Sequence, residues 1–218
     1  MAGPAGQLEI LVDTPADAPR GVAVVAHPHP SQGGTAEHKI PQLLARTLQA
    51  HGFLTLRPNY RGVGNSEGSY DDGNGETEDV QAVIARLRGD HPDLPLALAG
   101  FSFGAFIQAR AAAQLDASGV SVAHLILSGM PAGALSETLS YDTPTVPAHT
   151  LVVHGENAER VPLRTRLTDR HGNCLEITGF APRFYRLGRY FRPLTLVRRV
   201  RPVRGAPRVR VTIAPRFN

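Results

Sequence analysis

Apolar and polar residues alternate along the first 156 residues in a pattern that separates strands from helices. Short runs rich in Val, Leu and Ile end at Gly, Pro or polar residues, and stretches with a helical period lie between them. Runs of this kind are typical of strands covered on both faces of a mostly parallel sheet. The predicted strands are Leu8–Val12, Gly21–His27, Phe53–Tyr60, Leu94–Phe101, Val122–Gly129 and His149–Gly155. The pattern therefore predicts an α/β fold with helices on both faces of the sheet.

Three helices are predicted between these strands. The first covers about Ala36 to Ala50. The second begins near Thr77, whose hydroxyl can cap a helix while Glu78 and Asp79 place negative charge at the positive end of the helix dipole. The third follows Ser102, directly after the fourth predicted strand.

The pattern G-x-S-x-G occurs twice, in GVGNSEGSY around Ser66 and in LALAGFSFGAF around Ser102. A nucleophile elbow requires a buried strand that runs directly into a helix, so that the serine lies on a tight turn with its Oγ exposed. Only Ser102 has a predicted strand before it and a helix after it. The context favours Ser102 as a nucleophile over a plain helix-capping serine, and it favours Ser66 as a turn residue.

Two backbone amides are candidates for binding the oxyanion that forms when a carbonyl is attacked. The first is the N–H of Phe103, the residue that begins the third helix. In folds with a nucleophile elbow, the second donor comes from a loop after an earlier strand. Here that loop reads HPHPSQGGT, and Pro28 and Pro30 carry no N–H, so His29 is the only donor between them. The spacing of His27 and His29 also suggests a metal, but no third ligand stands out, and we expect no metal or cofactor.

The charge distribution divides the chain. Residues 1–159 contain 8 Lys and Arg against 17 Asp and Glu, a net charge of −9, whereas residues 160–218 contain 15 Arg against two acids, a net charge of +13. The later part is also rich in proline, which excludes a long helix, although Leu175–Thr178 is a plausible strand. We predict a core domain over residues 1–163 and an atypical, irregular Arg- and Pro-rich segment over 164–218.

Composition gives few indications of a partner. No run of about 18 apolar residues occurs, the N-terminal sequence lacks a signal-peptide pattern, and the single Cys174 fits a reducing compartment, so we expect a cytoplasmic protein without a membrane partner. Arginines interleaved with aromatic residues after residue 183 could bind phosphates and stack bases. No nucleic-acid-binding motif accompanies them, and a nucleic-acid partner is not expected. The oligomeric state is not predicted.

Four segments together resemble a family of small bacterial α/β hydrolases, serine hydrolases without a lid domain. They are AHPHPSQGGTAEHK, RPNYRGVGNSEGSYDDGNGETED, LALAGFSFGAF and LVVHGE. The resemblance covers roughly Leu8 to Leu163. It implies a three-layer fold with Ser102 as nucleophile, Phe103 and His29 at the oxyanion hole, and a Ser, Asp, His triad in that chain order. The short segment Met130–Ala148 takes the place of the lid in larger relatives, which implies an open cleft.

The sequence departs from this family where the acid and the base of the triad are expected. In HGENAERVP, Ala158 stands at the usual aspartate position, and Glu156 or Glu159 is the nearest substitute. Arg183 stands where the family has its histidine, and arginine does not act as a base near neutral pH. On chain order His171 is the best remaining candidate for the base.

Three explanations of this departure remain open. The site is complete through His171 and Glu156, or the protein is an inactive relative that binds a ligand, or the coding frame shifts near residues 157–180. The third explanation is favoured for the composition of the tail, because out-of-frame translation of a GC-rich gene yields Arg- and Pro-rich sequence. The predicted function is a serine hydrolase that cleaves a small-molecule carboxylic ester or thioester, and the alternative is an inactive ligand-binding relative.

Overall fold

The structure of the 218-residue chain is a computed structural model. It describes residues 1–131, 141–147, 150–153 and 204–205 in full, together with the backbone of 133–134, 140, 163–168, 174–180, 184–186, 189–191 and 197–203. The chain divides into two compact units, Met1–His154 and Gly155–Asn218. The domain boundary that we predict after residue 163 stays a prediction.

A six-stranded sheet forms the centre of the first unit. Its strands are β1 (Ile10–Asp13), β2 (Gly21–Ala26), β3 (Phe53–Pro58), β4 (Leu96–Phe101), β5 (His124–Ser128) and β6 (Leu151–Val153). Their order across the sheet is β6-β5-β4-β2-β3-β1. The edge strand β1 is antiparallel to β3, and the other neighbours are parallel. The predicted mostly parallel sheet is confirmed, with strands shorter than the apolar runs that indicated them.

Helices cover both faces of this sheet, as predicted. They are α1 (Lys39–Ala50), α2 (Asn74–Asp90) and α3 (Phe103–Ala117). Ala23 and Val25 of β2 pack in a small cluster with Ala45 and Leu48 of α1. The alternate residues of the same strand, represented by Val24, belong to the larger core that α2 and α3 cover. Because successive strand residues point to opposite faces, an almost wholly apolar β2 requires helices on both sides.

Short elements complete the description of the first unit. Ala2–Gly3 pairs with Gly6–Gln7, a 3₁₀ turn spans Pro30–Gln32, and Gly133–Ala134 pairs with Ser140–Tyr141. No helix among the described residues is both long enough and apolar enough to cross a membrane.

The described residues of the second unit form antiparallel strands. Leu163–Thr168 and Val197–Arg204 pair with opposite edges of Cys174–Phe180, and Phe184–Arg186 pairs with Arg189–Phe191. The strand predicted at Leu175–Thr178 lies within the central one. The other strands were not predicted from the sequence.

Helix α2 begins before the predicted start at Thr77. The helix begins at Asn74, because Gly73 adopts φ 90° and the buried carboxylate of Glu76 accepts the N–H groups of Asp71 (2.9 Å) and Gly73 (2.7 Å). The Thr77 hydroxyl instead donates to the carbonyl of Gly73 at 2.6 Å. A glutamate that binds backbone N–H groups ahead of the helix therefore sets the start, and Thr77 lies inside the first turn.

Candidate active site

Ser102 lies at the sharp turn between strand β4 and helix α3. Its backbone angles are φ 55° and ψ −123°, and apart from Asp72 no other described non-glycine residue has a positive φ. Such a conformation costs on the order of 1–3 kcal/mol and persists only where surrounding contacts hold it. The Ser102 N–H donates to Ser128 O at 2.8 Å, and its carbonyl accepts the Ala105 N–H at 2.9 Å. The side chain is partly exposed at the carboxyl edge of the sheet.

The two glycines that flank Ser102 allow the close approach that this turn requires. A Cβ atom on Gly100 would overlap the backbone of Gly104 and Ala105, and a Cβ atom on Gly104 would overlap the carbonyls of Ala26 and His27. Helix α3 therefore starts in direct contact with the end of β2. This packing places the loop after β2 beside Ser102.

Ser66, the serine of the second G-x-S-x-G pattern, has a different environment. Its side chain is buried, its hydroxyl donates to Asn59 O at 2.8 Å, and its Oγ accepts the Glu9 N–H at 2.9 Å. Its own N–H closes a turn with Val63 O at 3.0 Å. Ser66 joins three parts of the chain and offers no exposed hydroxyl.

The two amides expected at an oxyanion hole belong to residues whose side chains touch. Phe103 is the first residue of α3, so its N–H has no acceptor within the helix. The His29 and Phe103 rings pack with their centroids 4.7 Å apart. His29 is fixed from its other side as well, because its carbonyl accepts the N–H groups of Gln32 and Gly34, each at 3.1 Å.

His27 is a structural residue of the site. Its side chain is fully buried and stacks on Tyr60 with the ring centroids 4.0 Å apart. Nε2 accepts the Tyr60 N–H at 3.2 Å, which leaves Nδ1–H to donate to Pro28 O at 2.8 Å. Desolvation lowers the pKa of His27 to about 4, so the ring is neutral near pH 7. With both nitrogens bonded, His27 is not free to bind a metal, and no metal-binding cluster occurs among the described residues.

His29 and Tyr70 form a pair on the other side of the same loop. His29 Nδ1 accepts the Ser31 N–H at 3.2 Å, and His29 Nε2 lies 3.1 Å from Tyr70 Oη. Desolvation lowers the pKa of His29 below its ordinary value, against the opposing charges of Glu76 and Asp72. Desolvation, followed by the same carboxylates, raises the pKa of Tyr70 to about 12, so this hydroxyl keeps its proton. Sequence reasoning did not select Tyr70, although it lies in the segment of the Ser66 motif.

Tyr60 and Arg61 follow strand β3, and from residue type alone we expect a packed tyrosine and a surface arginine. The first expectation is confirmed, since Tyr60 has no exposed surface, and the second is wrong, because Arg61 is only 8% exposed. Its Nη2 bonds the fully buried Asp79 at 2.9 Å, and the Arg61 N–H donates to the same carboxylate at 2.8 Å. Asp79 was expected only to favour the start of α2. Together the two residues fix the loop after β3 on that helix.

The predicted acid and base fall outside the described residues. Glu156 and His171 lie there, and their roles stay predictions. His124 is described, and it occupies the amino end of β5 with its ring against Phe53, at the edge of the sheet opposite Ser102. It is therefore not placed to act on the Ser102 hydroxyl.

An open cavity of about 540 Å³ lies at that opposite edge of the sheet, between the segment before β2 and the end of α1. Its basic lining residues, Arg20, Arg46 and His51, are exposed to solvent. The cavity does not reach the loops that surround Ser102.

Comparison with known proteins supplies the family. The family model described as serine aminopeptidase, S33, matches residues 17–168. A solved structure from Xanthomonas campestris, described as an α/β serine hydrolase without a lid, is 38% identical with a TM-score of 0.62. The match covers 71% of this chain and 68% of that chain.

Two curated relatives match a smaller part of the chain. An uncharacterised protein of Rickettsia prowazekii is 39% identical over 108 residues, which are 48% of this chain and 44% of the relative. A monoacylglycerol lipase of Mycolicibacterium smegmatis is 33% identical over 104 residues, 45% of this chain and 35% of the relative. The chain thus matches less than half the length of either relative.

The matched region contains the whole of the six-stranded sheet except its first strand, together with the turn at Ser102 and the loop of His29. By fold and by family model, this chain belongs to the serine aminopeptidase S33 family of α/β hydrolases.

Proposed function

We propose that this protein is a serine hydrolase that cleaves a carboxylic ester or thioester through an acyl-Ser102 intermediate. The observation that carries the proposal is the positive φ of Ser102 at the turn between β4 and α3. A strained turn of this kind is retained where neighbouring structure holds it, and here it leaves Ser102 partly exposed at the start of α3.

The reaction has two halves. Ser102 Oγ attacks the substrate carbonyl carbon while a base takes its proton, and the resulting oxyanion accepts hydrogen bonds from Phe103 N–H and His29 N–H. The bond to the leaving group then breaks, and the leaving alcohol or thiol takes the proton from the base. Water, deprotonated by the same base, attacks the acyl-serine and releases the acid together with free Ser102. The base in this proposal is His171, and Glu156 orients it.

An ester or thioester is favoured over a peptide bond for two reasons. The relative from Mycolicibacterium smegmatis is a monoacylglycerol lipase, and its substrate is an ester. Alkoxide and thiolate leaving groups also depart with less assistance from an acid than an amine does, which suits a chain whose acid and base differ from the family pattern. The cytoplasmic location expected from Cys174 belongs to the same proposal.

A second candidate is an inactive relative that binds a ligand without cleaving it. Ala158 and Arg183 favour it, because they replace the family's acid and base. A triad that lacks a member retains only the rate supplied by binding and by the oxyanion hole, about 10³–10⁴-fold over water.

A fluorophosphonate probe tests the proposal, because it phosphonylates an activated serine. We expect the wild type to be labelled and Ser102→Ala to be unlabelled. Ser66→Ala is the matched control, since it removes the serine of the other G-x-S-x-G pattern and should retain labelling. Labelling that persists in Ser102→Ala would show that another residue is the nucleophile and would contradict the proposal. A wild type that is never labelled would leave the binding protein as the better description.

The role of His171 has its own test. If it is the base, His171→Ala should lower the labelling rate by about 10²-fold or more. An unchanged rate would remove His171 from the mechanism without affecting the assignment of Ser102.

A further inference from the structure

We propose that Tyr70 is a positioning residue for the oxyanion hole, holding the His29 imidazole so that the His29 N–H stays beside Phe103. The inference rests on the proposed function of Ser102 and adds a residue outside the predicted site. Tyr70 does not act on the substrate in this proposal. It acts through His29.

The other hydrogen bonds of His29 determine which atom donates in the contact between His29 Nε2 and Tyr70 Oη. Ser31 donates its backbone N–H to His29 Nδ1, so Nδ1 of the neutral ring carries no proton. The proton is therefore on Nε2, and Nε2–H donates to Tyr70 Oη across 3.1 Å. The Ser31 hydroxyl, 2.9 Å from Nδ1, donates to it as well. The Tyr70 hydroxyl accepts the Nε2 proton of the tautomer that Ser31 sets, and the contacts on the two nitrogens together hold the ring in one orientation.

The orientation of this ring is coupled to the backbone of His29. The bond from Ser31 N–H to Nδ1 caps the 3₁₀ turn Pro30–Gln32, so the imidazole is attached to the turn that follows its own residue. Pro28 and Pro30 restrict the backbone on both sides. A rotation of the ring would break this cap and remove a contact that fixes the turn directly after the His29 backbone.

Tyr70 is itself held in place by the loop before helix α2. The backbone N–H groups of Asp71 and Gly73 both bind the buried carboxylate of Glu76, and Asp72 between them is held at φ 48°. A positive φ at a residue other than glycine persists where the surrounding structure imposes it. In the described part of the chain the two such residues are Ser102 and Asp72, and Tyr70 adjoins the second.

A purely structural role for Tyr70 is the alternative interpretation. Its ring lies 5.1 Å from the His29 ring and 6.0 Å from the Phe103 ring, so it contributes to an aromatic cluster. Yet the residue is 37% exposed, unlike Phe103 at 1% and Tyr141 at 6%. A Phe substitution keeps the ring contacts and removes only the hydroxyl, and it therefore separates positioning from packing.

The test measures the rate of fluorophosphonate labelling in Tyr70→Phe and in wild type. Loss of the hydroxyl's bond to His29 predicts a rate about three- to tenfold lower, with unchanged probe affinity and a melting temperature lowered by no more than a few degrees. Tyr141→Phe is the matched control: its ring packs on Phe103 at 6.4 Å, and within the described residues its hydroxyl makes no bond to His29. Its labelling rate should equal that of wild type.

A double-variant cycle tests whether Tyr70 acts through His29. In His29→Asn the shorter side chain can still accept the Ser31 N–H but cannot reach Tyr70. If the two residues act as one unit, adding Tyr70→Phe to His29→Asn should cause no further loss of labelling rate. Independent effects, in which the two losses multiply, would overturn the proposal.

The possible failures are distinguishable. A wild type that is not labelled at Ser102 refutes the proposed function, and this inference with it. A labelled wild type whose rate is unchanged in Tyr70→Phe refutes only the inference. Nitrogen NMR gives a readout independent of activity: we expect His29 in its neutral Nε2–H form, and the Nδ1–H form would overturn the inference.

Discussion

Two histidines in one Pro-containing loop have opposite surroundings. His27 lies at the end of β2 with no exposed surface and bonds only to protein groups. His29, two residues later, is 9% exposed and contacts Tyr70, which is 37% exposed. Because proline at positions 28 and 30 removes two donors, these histidines supply much of the polar chemistry of the loop, and only His29 belongs to the proposed oxyanion hole.

Acid should destabilise the fold through His27. In the unfolded chain an imidazole binds a proton near pH 6.5, whereas the pKa of His27 in the fold is about 4. Between these values the unfolded chain binds more protons, so the free energy of unfolding decreases as the pH falls from 6.5 toward 4, by up to about 3 kcal/mol. The contribution is fully present above pH 6.5. Urea unfolding followed by circular dichroism across this range measures it.

The variant His27→Gln isolates this contribution. It retains a side-chain donor and acceptor but does not titrate, so its free energy of unfolding should decline less between pH 6.5 and pH 4 than that of wild type. His51→Gln controls for the removal of one histidine from the unfolded chain, since His51 is exposed. Parallel curves for His27→Gln and wild type would show that His27 does not carry the acid sensitivity.

At this scale the sequence predicted residues whose roles depend on the local chain and missed those that depend on distant partners. Ser102 was selected because strand, turn and helix are adjacent in sequence. Arg61 was misjudged because its partner Asp79 lies 18 residues away, and the pairing is a tertiary contact. Tyr70 was missed for the same reason, since its bond to His29 spans 41 residues.

At the scale of elements, the contact between α3 and β2 decides whether the elbow forms. The first turn of α3 lies against the carbonyls of Ala26 and His27, which only glycine at position 104 permits. Sequence periodicity predicted both elements but not this contact, because periodicity specifies which face of an element is apolar and not how closely two backbones approach. The start of α2 shows a similar limit, since Glu76 and the positive φ of Gly73 override the capping residue expected at Thr77.

A matched pair of glycine substitutions tests the close approach. Gly104→Ala should lower the free energy of unfolding by at least about 2 kcal/mol, because its Cβ must displace backbone, and it should also reduce labelling of Ser102. Gly89→Ala in α2 has open space around it and should raise the free energy of unfolding by about 0.5–1 kcal/mol. Urea unfolding at neutral pH compares the two. Equal effects would mean that space at position 104 does not limit the packing of α3.

For the whole molecule, the sequence predicted the fold class, which is confirmed, and left the completeness of the site open. The sheet is specified by apolar runs within the first 153 residues, and the family match covers residues 17–168. The acid and the base were expected from later residues, where the composition changes to an arginine-rich sequence that departs from the family pattern. A fold depends on many apolar positions, whereas a triad depends on three residues, so substitution at two positions leaves the fold predictable and the mechanism open.

The opposite charges of the two parts of the chain predict how the protein binds polyanions such as nucleic acids. Residues 160–218 carry a net charge of +13 and residues 1–159 a net charge of −9. The arginines should bind phosphates without base selectivity, because no nucleic-acid-binding motif accompanies them. In gel-shift measurements we expect duplexes of unrelated sequence to bind equally at about 50 mM salt and to be released at about 200 mM salt, since such binding weakens steeply as counterions are added. Poly-glutamate, which offers carboxylates in place of phosphates, is the control and should compete with the duplex. A shift that favours one sequence and persists at the higher salt would instead identify the arginine-rich part as a specific nucleic-acid-binding element, in which case hydrolysis at Ser102 would not be the only activity of the chain.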